Sequence, residues 1–185
     1  MPNNFRLALI EEMRTAMNST VVLLFTLAMS MGVAYPRSQG AFLPTDHELP
    51  AGVPPVSQES IDIAVAHFKI RVPQSSEFPE LDRELEDRGA TYSPSFFGGY
   101  KIIKIGRAAF SSWGMLGATL AHEAEVHGNQ NFSWVVVRDA FLLQGTEQAE
   151  CDAYRYEVNN AVRFGLTEEE VRGIEGTALI GGYCN

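Results

Sequence analysis

Residues 120–130 read Leu-Ala-His-Glu-Ala-Glu-Val-His-Gly-Asn-Gln and hold two of the chain's four histidines, His122 and His127, with Glu123 beside the first. Two imidazoles and a carboxylate on one helix are the parts of a zinc hydrolase site, where the usual spacing is H-E-x-x-H. Here the spacing is one residue longer, H-E-x-x-x-H. An α-helix advances about 100° per residue, so a pair four apart lies about 40° apart and a pair five apart about 140°. The first pair reaches one ion; the second, on a straight helix, does not. A π-bulge closes an i→i+5 turn, absorbs the extra residue and occurs mostly at functional sites. The stretch therefore predicts a π-bulge that stacks His122 and His127 and turns Glu123 into the same cleft. Glu125, about 160° from Glu123, is expected to face solvent.

A catalytic zinc takes three protein ligands and keeps a fourth position open. The next polar helix, Thr146 to Glu157, offers the third. Glu147, Glu150, Cys151 and Tyr154 recur at i, i+3, i+4 and i+7 and share a face. Glu150 is the first choice and Glu147 the alternative. Asp152 is a candidate acceptor for a histidine N–H. The competing reading of these acids is a solvated helix face.

H-E-x-x-x-H followed by a glutamate-bearing helix resembles the zinc-binding arrangement of dipeptidyl peptidase III, and more broadly that of the gluzincin metallopeptidases. The resemblance covers about 35 residues, His122 to Glu157. It departs from the common E-x-x-x-D second motif, because Gln148 stands four residues before Asp152. What it implies is a small helical zincin-like domain in which His122, His127 and Glu150 bind Zn2+. Glu123 would be the general base, and Tyr154 or Tyr156 would donate to the oxyanion. The substrate would be a peptide or protein, cell-wall peptide included.

Working outward, Thr20 to Ala34 is an apolar run without a charge. It is short for a membrane span, which needs about 20 residues. It fits a signal-peptide core ending in Gly32-Val33-Ala34, a small-x-small cleavage pattern; an uncleaved anchor is the alternative. Residues 1–34 are thus read as a targeting segment, 35–56 as a proline-rich linker or wrapped arm, and 57–185 as one domain. The expected location is outside the cytoplasm, periplasmic or secreted. Both cysteines, Cys151 and Cys184, fall in the domain, which invites a disulfide; the rival reading makes Cys151 a small buried residue. The net charge of −9 argues against nucleic acid and anionic membranes as partners.

The remaining pattern is mainly helical with one β-hairpin. Ile61, Val65 and Phe68 mark a helix to about Lys69 behind a serine cap. Ser76 to Asp87 reads as a second, charged helix. Thr91 to Phe97 and Tyr100 to Ile105 read as strands joined by a Gly98-Gly99 turn. The hairpin directly precedes the histidine helix, where an edge strand can bind a peptide backbone by β-addition. That helix starts near Ser111 or Ser112 and is small and apolar in its first half. Ser133 to Leu143 is apolar nearly all round and reads as buried. A helix from Thr146 to Phe164 ends at Gly165, and Thr167 with Glu170 makes a capping box for a last helix. His47 and His67 are expected to be bystanders. Two functions follow: an exported zinc metallohydrolase, or a non-catalytic disulfide-stapled helical binding module with or without a structural metal. A two-metal carboxylate site using Glu123, His127, Glu147 and Glu150 lacks the paired E-x-x-H motifs such sites carry.

Overall fold

The computed structural model describes residues 48–95 and 99–184. Residues 1–34, expected to be a targeting segment, the expected linker as far as His47, residues 96–98 and Asn185 lie outside the described residues. Of the chain's two units, Met1–Ala41 and Phe42–Asn185, every described residue belongs to the second.

Among the described residues there are six α-helices and three short strands: α1 (Gln58–His67), β1 (Glu80–Leu81), β2 (Gly89–Tyr92), β3 (Ile102–Ile105), α2 (Trp113–Leu120), α3 (Phe132–Ala140), α4 (Gly145–Asn159), α5 (Ala161–Phe164) and α6 (Glu168–Ile180). The domain is mainly α with a small sheet, as the sequence implies. β3 is the centre of the sheet, parallel to β1 and antiparallel to β2. Its Ile103 and Ile105 are fully buried and join Ile61, Leu116, Leu120 and Phe110 in the core. α2 crosses this core closely because it is built of small residues: a Cβ on Gly117 would stand 2.5 Å from the Phe68 ring. Ser112 caps α2 by accepting from the Met115 N–H and also donates to Glu170, tying α2 to the capping box of α6. The described end of the linker is a wrapped arm: the Pro50 carbonyl accepts from the Trp113 indole, and Leu49 and Val56 pack on the core.

Three expectations fail. Ser76 to Asp87 is not a helix but carries β1. Pro79 interrupts it, and the Gln58 side chain of α1 holds the Pro79 carbonyl and the Leu81 N–H as a strand. The hairpin exists, with Tyr92 opposite Ile102, but its connection is far longer than a Gly-Gly turn. Pro94 cannot donate to the ladder, and Ser93 bonds to Ser95 instead of across the strands. Finally, the helix expected to be buried, here α3, contributes no buried residue. Trp134 is 59% exposed, Phe141 51% and Leu142 91%. An all-round apolar pattern records what a helix can bury, not whether the chain supplies anything to cover it.

Candidate metal centre

α2 runs without a break into a π-helix, Ala121–Val126, which is followed by a 3-10 turn, His127–Asn129. The predicted over-long turn is therefore present where the five-residue spacing requires it. It brings the Nε2 atoms of His122 and His127 within 3.1 Å of each other. Glu150 comes across from α4, with one carboxylate oxygen 3.3 Å from His127 Nε2 and the other 3.5 Å from His122 Nε2. These three residues form a group that could hold a metal ion. Glu147, the alternative third ligand, is not part of it. Both histidines are 5% exposed, so the donors sit at the floor of a cavity of about 630 Å³.

Behind each histidine stands a hydrogen-bond acceptor. His122 Nδ1 lies 2.6 Å from Glu157 Oε1, and His127 Nδ1 lies 2.6 Å from Gln130 Oε1. Such partners fix the tautomer, leaving the Nε2 lone pairs for a cation. Glu157 is fully buried and is gripped by both terminal nitrogens of Arg88, at 2.8 and 2.9 Å. Gln130 is held in turn through its amide nitrogen, which donates to the Ala149 carbonyl one residue before Glu150. Below the π-helix, the buried Lys101 ammonium donates to the carbonyls of His127, Gly128 and Gln130. It thereby satisfies the free carbonyls where the helix ends.

Glu123 occupies the same cavity, with Oε1 3.9 Å from His122 Nε2. Thr91 of β2 donates to its other oxygen at 2.8 Å. Gly89 makes the approach possible: a Cβ there would stand 2.6 Å from Glu123 Cγ. Burial pushes the Glu123 carboxyl above its ordinary range, against the pull of the two histidines and Thr91. Burial also opposes a proton on His122, but Glu150 and Glu157 outweigh it and raise that pKa to about 9. Glu150 shows the reverse: burial favours its neutral form, yet the two histidines pull it down to about 2.

Tyr154 lies edge-on to His122 at 5.0 Å and stacks on Tyr183 at 5.8 Å, both tyrosines lining the cavity. Burial, with the charges of Glu150 and Glu157, raises its pKa to about 12, so the hydroxyl keeps its proton. Tyr156, its rival, faces away and donates to Glu125. Glu125 is itself a correction. Its side chain is 7% exposed, not solvent-facing, because Arg163 grips it bidentately and the Arg71 N–H adds a further bond. Asp152 is exposed and bonded to Gln148; the acceptor role expected of it belongs to Glu157. Glu157 stands seven residues after Glu150, on the same helix face, and that spacing was the available signal. Arg88, Lys101 and Gln130 carry no such signal.

Cys151 and Cys184 form a disulfide. It ties the tail bearing Tyr183 to the turn of α4 that presents Glu150. No protein-family model, curated protein or solved structure matches the chain, so the case for its chemistry stands on this geometry.

Proposed function

We propose that the protein is an exported zinc-dependent metallohydrolase that cleaves peptide bonds. The observation that carries this reading is the triangle of donors. A tetrahedral zinc with bonds of about 2.0–2.1 Å holds its ligand atoms about 3.3 Å apart; here the two imidazole Nε2 atoms are 3.1 Å apart, one Glu150 oxygen lies 3.3 Å from His127 and the other 3.5 Å from His122. Two neutral imidazoles and one carboxylate are a common catalytic donor set, and Glu157 and Gln130 supply the outer support that such ligands need.

Zinc bound there would act as a Lewis acid toward a water and a scissile carbonyl. The rest of the work belongs to side chains. Glu123, buried beside the histidines and held by the Thr91 hydroxyl, accepts the proton of the attacking water and passes it to the departing amine. Water thus adds hydroxide to the carbonyl carbon and a proton to nitrogen as the C–N bond breaks. Tyr154 keeps its proton and donates a hydrogen bond to the oxyanion as it develops. β2 pairs only with β3 among the described residues, and its Gly89–Thr91 segment lines the cavity. This supports a peptide backbone laid along that edge. The disulfide and the apolar Thr20–Ala34 run support an oxidising compartment outside the cytoplasm.

The test compares wild type with Glu123→Gln for bound zinc by mass spectrometry and for cleavage of a peptide library. Both are expected to carry one zinc, and only wild type to cleave. Wild type without zinc ends the reading, and zinc-loaded wild type that cleaves nothing ends its catalytic half.

A further inference from the structure

The exposed helix α3 has two apolar rows, and one of them belongs to the cavity. Phe132, Val135 and Val136 fall at i, i+3 and i+4, and all three line the space that holds His127 and Glu150. The stacked rings of Tyr154 and Tyr183 line it as well. The cavity is therefore divided by chemistry. Donors and carboxylates gather around the π-helix, while α3 offers hydrocarbon that is only partly covered among the described residues, Phe132 and Val135 half-buried and Val136 45% exposed. α3 is not loosely placed, however. Asn131 caps it, Phe132 covers the Lys101 ammonium at 4.7 Å and meets His127 edge-on, and Asp139 accepts from Thr146 at the start of α4. The helix is pinned at both ends, yet it leaves Val135 half-buried and Val136 exposed on the wall of the cavity beside the candidate metal centre, a surface suited to an apolar occupant.

We propose that this row sets specificity: the substrate presents a bulky apolar side chain, of leucine or phenylalanine size, beside the scissile carbonyl, and that side chain seats on Phe132, Val135 and Val136. The proposal rests on the hydrolase reading and names its substrate class. Burying a side chain of that size, rather than leaving the wall wet, corresponds to a preference of about 10- to 100-fold.

The test uses the full chain loaded with zinc and two chelating probes, L-leucine hydroxamate and glycine hydroxamate. Binding is followed by the fluorescence of Trp134, which adjoins Val135. Leucine hydroxamate is expected to bind at least about 10-fold more tightly than the glycine compound. The double variant Val135→Ala, Val136→Ala should lose most of that difference while keeping zinc content and melting temperature. Since neither valine lies in the core, a folding defect is not expected. A Val136→Leu variant, which keeps the wall apolar, should retain the preference. Equal binding of the two probes to zinc-loaded protein, or a preference that survives truncation, overturns the proposal and leaves the metal centre standing. Clear discrimination without any peptide cleavage supports the wall and sinks the hydrolase. A chain that takes up no zinc and binds neither probe overturns both.

Discussion

Glu123 and Glu125 stand two residues apart on one π-helix and meet opposite fates. Glu125 is saturated: two nitrogens of Arg163, the Tyr156 hydroxyl and the Arg71 N–H occupy its oxygens. Burial alone would raise its pKa, but these partners outweigh it and hold the group below its ordinary range. Glu123 receives one hydroxyl, from Thr91, and is pushed the other way. The first carboxylate is fixed as an anion and ties α5 to the π-helix. The second is left able to take a proton. On the proposed reading the π-helix divides structural from chemical duty between its two faces, and the contrast can be attacked from either side.

The largest effect is expected from exchanging the two carboxylates in turn. Glu123→Gln should lower kcat by about 10²–10⁴-fold, the range for losing a general base, with zinc content unchanged. Glu125→Gln should leave kcat within a few-fold and show its loss in thermal stability. If the two variants behave alike in kcat, the division of labour is wrong.

Next comes the support behind His122. Glu157→Gln should weaken zinc binding by about 10–100-fold in a competition with a chromogenic chelator. Glu125→Gln in the same assay should change little, and an equal loss in both would erase the distinction between the faces.

A third expectation concerns pH. His122 in the metal-free chain titrates near 9, above the ordinary histidine value. A raised pKa contributes stability that is full below about 6.5 and disappears as pH climbs through the folded value. Zinc-stripped protein should therefore melt at lower temperature as pH rises from 6.5 to 9. Zinc competes with that proton, so its affinity should climb over the same window. A melting temperature of the stripped chain that is flat or rising across this range would contradict the cluster.

The smallest effect lies on the outer face. Arg163→Met removes the guanidinium from a mostly buried partner and should cost about 2 kcal/mol, or roughly 4–8 °C in Tm. Zinc affinity and kcat should hold. A fall in kcat without a fall in Tm would show that the faces communicate.

The sequence made the centre of the site legible for one reason: a five-residue histidine spacing is useless on a straight α-helix, so it named its own remedy. Cys151 and Cys184, with no other cysteine to choose, were legible by count. Glu150 was separable from Glu147 only by the packing of α4 against the π-helix. Glu157 is visible as a helix-face repeat, but a second carboxylate in a charged helix reads equally as solvent exposure. Arg88 and Lys101 were beyond reach, since each meets its partners through tertiary folding alone. The exposure of α3 is not legible because hydrophobicity measures tendency, and nothing among the described residues covers the helix fully. The strand at Glu80 was hidden by charge; a two-residue strand has no period to detect.

Glu150 differs from the two histidines in how it joins the group. His122 and His127 meet within one stretch of helix, whereas Glu150 sits on α4, which is held against the π-helix further along by Glu157, placed between His122 Nδ1 and Arg88. A cation held by all three residues would add a second tie between these two helices, so that loading the group would stiffen the walls of the cavity as well as furnish its chemistry.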